Sequence, residues 1–252
     1  MNEKTKMTIK RIATGVAFTV TVAYMLFAII RFNYDRDNSL CMGLNVTIKD
    51  SADIQFIHKG DVQNFINEYE PELHGKNMNL LNTTELERKL TKHLVAIKNI
   101  ECYKTPDCKL QINIWQRHPI LRITKNTGLD YYIDADGCLM PIPSMEPAYV
   151  PIASGEIRDS FATGTLYKFA KFLNGDHFWD SQIEQIYVKH NGEVRLVPRV
   201  GHHIIEMGKL DNFEEKLDKL EKVYSEAFPE KGWNQYSVIN LKFDNQVICT
   251  KK

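Results

Sequence analysis

The sequence predicts an α+β protein: a single N-terminal transmembrane helix, then a β-α-α-β-β module, then a mixed β domain with packed helices. Three observations indicate this order. Residues 12–30 carry no charge. Residues 44–116 combine two apolar patterns of helical period with three of strand period. From residue 117 onwards, short apolar segments separated by turn signals predominate, and amphipathic helical patterns interrupt them.

The uncharged run at residues 12–30 predicts a membrane span. As a helix it would be about 28 Å long, close to the hydrocarbon thickness of a bilayer. The residues before it are rich in lysine and arginine, whereas acidic and basic residues balance after it. The positive-inside rule therefore predicts that residues 1–11 are cytoplasmic and that the bulk of the chain lies outside.

A cleaved signal peptide is the alternative explanation of this run. The apolar region of a signal peptide is normally about 7–15 residues long and ends at a small-residue cleavage site. Here the run is longer and continues into Arg31-Phe32-Asn33-Tyr34, which offers no such site. We therefore expect an uncleaved anchor.

Charge and cysteine content exclude several classes of function. The chain has 32 Lys+Arg and 32 Asp+Glu residues, so no net positive field attracts nucleic acid. The five cysteines are odd in number and match no metal-binding spacing. For Cys41, Cys102, Cys108, Cys138 and Cys249, unpaired thiols are favoured over a disulfide framework, and the sequence does not give their redox state.

The module follows a polar stalk, residues 31–43. Its first strand is predicted by alternating apolar residues from Leu44 to Ile48. The first helix starts near Gly60-Asp61 and stops at Pro71. Its apolar stripe comprises Val62, Phe65, Ile66 and Tyr69.

The second helix and a hairpin complete the module at residue 116. Thr83 or Thr84 is expected to cap the helix. Its apolar stripe comprises Leu86, Leu90, Leu94 and Ile97. Strands at 100–103 and 110–114 then flank a turn at Pro106.

The β domain, residues 117–252, is predicted to consist mainly of strands and turns. A hairpin turns at Asp136-Gly137, and four prolines between 141 and 151 indicate an extended, wrapping connection. The remaining predicted elements are a strand within 150–155, a helix at 166–173, a hairpin at 183–197, a strand at 203–207, a helix at 213–228 and a final strand at 237–249 that bulges at 244–245.

No pattern of catalytic, cofactor-binding or metal-binding residues is found. Ser154 lacks the first glycine of a nucleophile elbow. Asp134 and Asp136 fit a polar hairpin tip better than an acid–base pair. His202 and His203 would point to opposite faces of a strand, which disfavours a shared metal. A non-catalytic domain of this size suggests protein binding, and the final strand could add a partner strand if it lies at a sheet edge; an interior position is equally compatible with its pattern.

Six segments follow one another along the chain: IKNIE at 97–101, QRHP at 116–119, DYYID with Asp136-Gly137 at 130–137, VPIASG at 150–155, the strand-Gly-helix passage from 204 to 228, and INLKFDNQ at 239–246. Taken in this order, they resemble the FtsQ/DivIB family of bacterial cell-division proteins, most closely its Bacteroidota-type members. Asn240 and Lys242 stand where the family often has Asp and Arg.

The resemblance implies a specific architecture and role. Residues 44–116 would be a POTRA module and residues 117–252 the FtsQ-type β domain. The protein would be a non-enzymatic scaffold of the divisome in the inner membrane, located at the septum, with a periplasmic bulk. It would bind FtsB and FtsL, control septal peptidoglycan synthesis, and meet other divisome proteins through the POTRA module. Carried over to this sequence, the partner-binding residues are Phe243, Asp244, Asn245, Gln246, Val247, Ile248 and Cys249.

Two other functions compete with this one. A POTRA-bearing chaperone or secretion factor would normally carry several such modules or a barrel. A membrane-anchored envelope hydrolase would need a nucleophile and base, which the sequence does not reveal. No cofactor is expected in the preferred interpretation.

Overall fold

A long N-terminal helix precedes the folded part of the chain. The computed structural model describes residues 3–37, 39–50, 56–125, 128–143 and 147–252. Helix α1 (Glu3–Asp37) contains one stretch, Ile12–Arg31, that is long and apolar enough to cross a membrane. The prediction of an irregular stalk from residue 31 is wrong up to Asp37. No proline or glycine follows Arg31 in this helix, so helical hydrogen bonding continues.

The first module has the predicted β-α-α-β-β order. Its elements are β1 (Gly43–Ile48), α2 (Lys59–Tyr69), α3 (Thr83–His93), β2 (Ile97–Lys104) and β3 (Lys109–Gln116). The three strands form one sheet in the order β1-β3-β2, with β1 parallel to β3. One face is apolar and carries the core residues Val46, Leu110, Ile112 and Ile114 together with Val62, Ile66, Leu86 and Leu90 of the helices.

Two details of helix α3 differ from the prediction. Asn82, not Thr83 or Thr84, is the N-cap: its Oδ1 accepts from Glu85 N at 3.0 Å. The helix ends at His93, so Ile97 belongs to β2. The predicted apolar stripe extends beyond the helix because Ile97, the first residue of β2, is buried and so matches the helical pattern by chance.

The second unit contains a sheet of nine strands in the order β12-β11-β10-β9-β8-β7-β4-β5-β6. The strands are β4 (Pro119–Ile123), β5 (Tyr131–Asp134), β6 (Leu139–Pro141), β7 (Ile152–Gly155), β8 (Ile183–Val188), β9 (Val194–Pro198), β10 (Ile204–Gly208), β11 (Tyr236–Asn240) and β12 (Ile248–Lys251). Both parallel and antiparallel pairs occur, for example β10 with β11 and β8 with β9. Residues 144–146 of the predicted wrapping connection lie outside the described residues.

Helices build the core of this unit together with the strands. One continuous helical run comprises α4 (Asp159–Phe161), a π-helical turn (Ala162–Leu166) and α5 (Tyr167–Gly175), and α6 (His177–Gln182) follows. A second run comprises α7 (Phe213–Lys222), another π-helical turn (Val223–Ala227) and α8 (Phe228–Lys231). Apolar residues of both runs pack in one cluster with strand residues, including Phe169, Leu217, Leu220, Ile186, Leu196 and Ile239.

The Asp136-Gly137 hairpin depends on a buried carboxylate. Asp134 is buried, and its Oδ1 accepts from the backbone N–H groups of Asp136 at 3.0 Å and Cys138 at 2.8 Å. Its Oδ2 accepts from Arg117 Nη1 at 2.7 Å. Asp136 instead pairs with Lys98 at 2.6 Å. The two carboxylates therefore have different partners, and Asp134 stabilises the turn.

Candidate partner-binding edge

Strand β12 forms one end of the nine-stranded sheet. On one side β11 pairs in parallel with β10, and on the other it pairs antiparallel with β12. The antiparallel register places Ile239 opposite Cys249 and Asn240 opposite Ile248. The outermost strand of a sheet directs part of its backbone N–H and C=O groups away from the sheet, where a strand of another chain can pair with them.

The predicted final strand, residues 237–249, is two strands of a hairpin, so the prediction of one bulged strand is wrong. The first strand ends at Asn240, whose side-chain Oδ1 accepts from Lys242 N at 3.0 Å. This local bond competes with a strand ladder. Asp244 and Asn245 then form a turn instead of a bulge, as their residue types favour.

The hairpin divides the predicted partner-binding residues into two groups. Phe243, Asp244, Asn245, Gln246 and Val247 lie in the connection between β11 and β12, whereas Ile248 and Cys249 lie in β12. Phe243 and Ile248 are exposed at 44% and 42%, although both are large and apolar. Val247 and Cys249 pack partly against the core.

The connection between the two strands is held at several points. Lys219 on α7 donates from Nζ to the carbonyl oxygens of Asp244 at 2.6 Å and Phe243 at 3.4 Å. Leu241 is buried, and its N–H donates to the Glu206 carbonyl at 2.9 Å. These contacts order the backbone of the connection.

A charge network also fixes the start of the connection. Lys242 Nζ lies 2.7 Å from Glu193 Oε2. The hydrogen bond from Lys242 lowers the pKa of the Glu193 carboxyl. Glu206 accepts hydrogen bonds from Lys189 at 2.7 Å and from Arg195 at 2.5 Å. Burial by itself would raise the pKa of Glu206, but these two bonds lower the pKa below its ordinary value. Both carboxylates are therefore ionised at neutral pH and form ion pairs with these lysine and arginine side chains.

Aromatic residues pack close to the start of β11. His203 is almost fully buried, and its Nε2 lies 2.7 Å from the Tyr224 hydroxyl. The rings of Phe228, Trp233 and Tyr236 pack against one another and against this pair. Burial lowers the pKa of His203 to about 4 and raises the pKa of Tyr224. His203 is thus a neutral core residue. Among the described residues, no group of three His, Cys, Asp or Glu side chains could hold a metal.

The opposite end of the sheet is less suited to strand addition. Strand β6 has three residues and ends in Pro141, which has no N–H to donate. Short edge strands that contain proline resist pairing with other chains. Strand β12 contains no proline. Of the two ends of this sheet, the β12 end is therefore the better candidate.

The sequence analysis assigned partner binding to the C-terminal region, which stays a prediction, and it missed the residues that organise this region. Lys219 and Glu193 lie 25 and 49 residues from their partners in the connection, so no local pattern connects them. The hairpin itself left a signal, because Asn240 and the Asp244-Asn245 pair are residues that favour turns.

The structure contains no disulfide bond among the five cysteines, all of which lie in its described ranges. Cys41 and Cys102 are buried, and Cys138 is exposed.

The fold defines a class of protein. The described residues contain one apolar helix suited to a single membrane span, a small module of β-α-α-β-β order, and a larger sheet whose last strand is β12. Two family models match. A model described as "POTRA-like domain" matches residues 39–115, and a model described as "FtsQ/DivIB, C-terminal related" matches residues 118–250. No curated protein matches the chain.

The chain belongs to the FtsQ/DivIB family, because that family model covers more than half of it. It is a cell-division protein with a POTRA-like domain, and its N-terminal helix fits a single-pass membrane anchor. These features fit a scaffold of the divisome.

Proposed function

We propose that this chain is a non-enzymatic scaffold that binds FtsB and FtsL and thereby controls septal peptidoglycan synthesis. The partner-binding region is the connection at residues 243–247 together with β12. The POTRA-like domain contributes contacts to other divisome proteins. Membership of the FtsQ/DivIB family supports this role.

The observation that carries the proposal is the position of β12 at the end of the sheet. A strand of FtsB added there would gain backbone hydrogen bonds, which supply affinity without side-chain specificity. Ile248 and Phe243 are exposed apolar side chains beside that edge, and they would select the partner. Lys219 and Lys242 hold the connection in the conformation that the partner meets.

The proposed location follows from the charge asymmetry around the span. Basic residues before residue 12 favour a cytoplasmic N-terminus, so the two folded units lie in the periplasm. The anchor keeps them at the inner membrane, and the interaction with other division proteins brings them to the septum.

The test is co-purification of the tagged full chain with co-expressed FtsB and FtsL from the same organism. Ile248→Glu adds a charge at the edge, where the partner strand would pack, and we expect at least a tenfold loss of FtsB recovery. Tyr187→Glu is the matched control, since Tyr187 on β8 is exposed to a similar degree, 45%, and lies four strands from the edge. It should leave recovery unchanged.

Two outcomes contradict the proposal in different ways. Full recovery with a folded Ile248→Glu variant would refute strand addition at β12. Failure of the unsubstituted chain to recover FtsB or FtsL at all would refute the scaffold role itself.

A further inference from the structure

Exposed apolar residues gather at one end of the POTRA-like module. Among the described residues of the module and of the segment that leads into it, the most exposed large apolar side chains are Leu40 at 54%, Met42 at 67%, Leu80 at 73% and Tyr103 at 47%; Val95 is less exposed, at 37%. Elsewhere on the described surface of this unit, polar side chains predominate.

Backbone contacts bring these residues to the same region. Leu40 forms an antiparallel bridge with Asn77, and Leu80 N donates to the Asn77 carbonyl at 3.0 Å. Met42 N donates to the Cys108 carbonyl at 2.7 Å, in the β2–β3 turn. Tyr103 lies close to the same turn along β2.

The segment that carries Leu40 and Met42 is extended, with alternating burial. Cys41, between them, is 1% exposed and exchanges backbone hydrogen bonds with the facing segment, from its N–H to Lys76 O and from Gly75 N to its carbonyl, each at 2.8 Å. Since successive side chains of an extended segment point to opposite sides, Leu40 and Met42 share the outward side. The hydrogen-bonded backbone of this segment therefore fixes Leu40 and Met42 in exposed positions.

The chain tethers this patch close to the membrane. The candidate span ends at Arg31, and Phe32 and Tyr34 follow, which are residue types that favour the bilayer interface. From Tyr34 to the end of α1 at Asp37 the helix rises about 4.5 Å. Three more residues reach Leu40, a distance of at most about 11 Å. The patch therefore includes the point at which the module is attached to its anchor.

We propose that Leu40, Met42 and Leu80 form a membrane-contact patch that seats the module on the bilayer interface. The occupant is lipid, because the tether holds every copy of the patch close to a bilayer and so gives lipid a high effective concentration. Aliphatic side chains at the boundary of headgroups and acyl chains lose water-exposed apolar area. This inference goes beyond the proposed scaffold function and does not depend on FtsB or FtsL.

The test uses the full chain in vesicles of phosphatidylcholine and phosphatidylglycerol, at low protein density, with and without acyl-brominated lipids that quench tryptophan. Leu80→Trp places a reporter in the patch. Lys92→Trp is the control. Lys92 is exposed and lies in the last turn of α3, about 13 Å along the helix from its start at Thr83, which is the end of the helix that follows Leu80 in the chain. The signal of the three native tryptophans is subtracted using the unsubstituted chain.

We expect brominated lipid to reduce the emission added at position 80 at least twofold and to leave that at position 92 unchanged. Adding Leu40→Gln and Met42→Gln to the Leu80→Trp chain should remove at least half of this quenching. Met42→Trp is a second reporter if Leu80→Trp does not fold.

Equal quenching at positions 80 and 92 would overturn the proposal, and so would no quenching at either patch position. A blue-shifted emission at position 80 that brominated lipid does not quench would also overturn it, because it would show that protein covers the patch.

Discussion

Lys219 on α7 donates a hydrogen bond of 2.6 Å to the carbonyl oxygen of Asp244, 25 residues later in the chain. This contact joins a helix of the second unit to the connection that precedes the edge strand. A charged donor on a backbone carbonyl restrains that backbone more than a neutral one does. The contact indicates that the connection is preformed.

Removing this contact should loosen the connection without unfolding the domain. For Lys219→Met we expect faster amide exchange at residues 243–247 and about fivefold weaker recovery of FtsB, the equivalent of about 1 kcal/mol for one hydrogen bond. Hydrogen exchange and binding are measured on the same preparation. Lys222→Met, on an exposed position of the same helix, is the control and should change neither. Unchanged exchange in Lys219→Met would show that other contacts order the connection.

Stability should depend on pH through His203. Burial lowers its pKa to about 4 from an ordinary value of 6.5, so the unfolded chain binds a proton that the folded chain does not. The contribution of neutral His203 to the unfolding free energy is therefore fully present above about pH 6.5. It is lost as the pH drops towards 4, and the loss is at most about 3 kcal/mol. The positive charges of His202 and Lys252 act in the same direction.

The measurement is the unfolding free energy at pH 7 and pH 4.5 for the unsubstituted chain, His203→Gln and His202→Gln. The glutamine at position 203 should remove most of the difference between the two pH values, whereas the one at the exposed position 202, which takes away only a smaller contribution to the lowered pKa of His203, should reduce the difference less. An identical pH dependence in all three chains would contradict the assignment to His203.

The stability of the β11–β12 hairpin should depend on one buried side chain of β11. Ile239 is fully buried, whereas its neighbour Val238 is partly exposed. We expect Ile239→Ala to cost about 3 kcal/mol of unfolding free energy and Val238→Ala less than about 1 kcal/mol, because only the first leaves a cavity in the core. Denaturant unfolding of the two variants checks this; equal losses would show that β11 packs differently.

Gly155 should tolerate no side chain. Its φ is 99°, and a Cβ there would lie 2.1 Å from the carbonyl oxygen of Val188 on the paired strand. Gly192 also has positive φ, at 79°, but a Cβ there would meet no atom within 4 Å. We expect Gly155→Ala to cost more than about 3 kcal/mol and Gly192→Ala about 1 kcal/mol. Thermal unfolding distinguishes the two, and similar losses would argue against the close approach of β7 to β8.

Local sequence patterns predicted most elements of this protein for a clear reason. Alternation and helical periodicity report which side of an element is buried, and they located β1, α2, the β8–β9 hairpin and the α7–α8 run. Helix α6 (His177–Gln182) was not predicted, and several other errors fall at element ends. At Asn82, Ile97 and Asn240 a side-chain hydrogen bond or the burial of one residue in the next element decided where the element began or ended.

Composition, periodicity and short motifs are enough to predict three features of this chain: an N-terminal run long enough to span a membrane, an α+β module before a strand-rich domain, and a resemblance to the FtsQ/DivIB family. The residues of the C-terminal hairpin leave a local turn signal, but its position at the end of a nine-stranded sheet follows from the tertiary structure alone. Strand order depends on which distant segments pair, and the contacts of Lys219 with Asp244 and of Lys242 with Glu193 join residues far apart in sequence. No local pattern of residues carries that information.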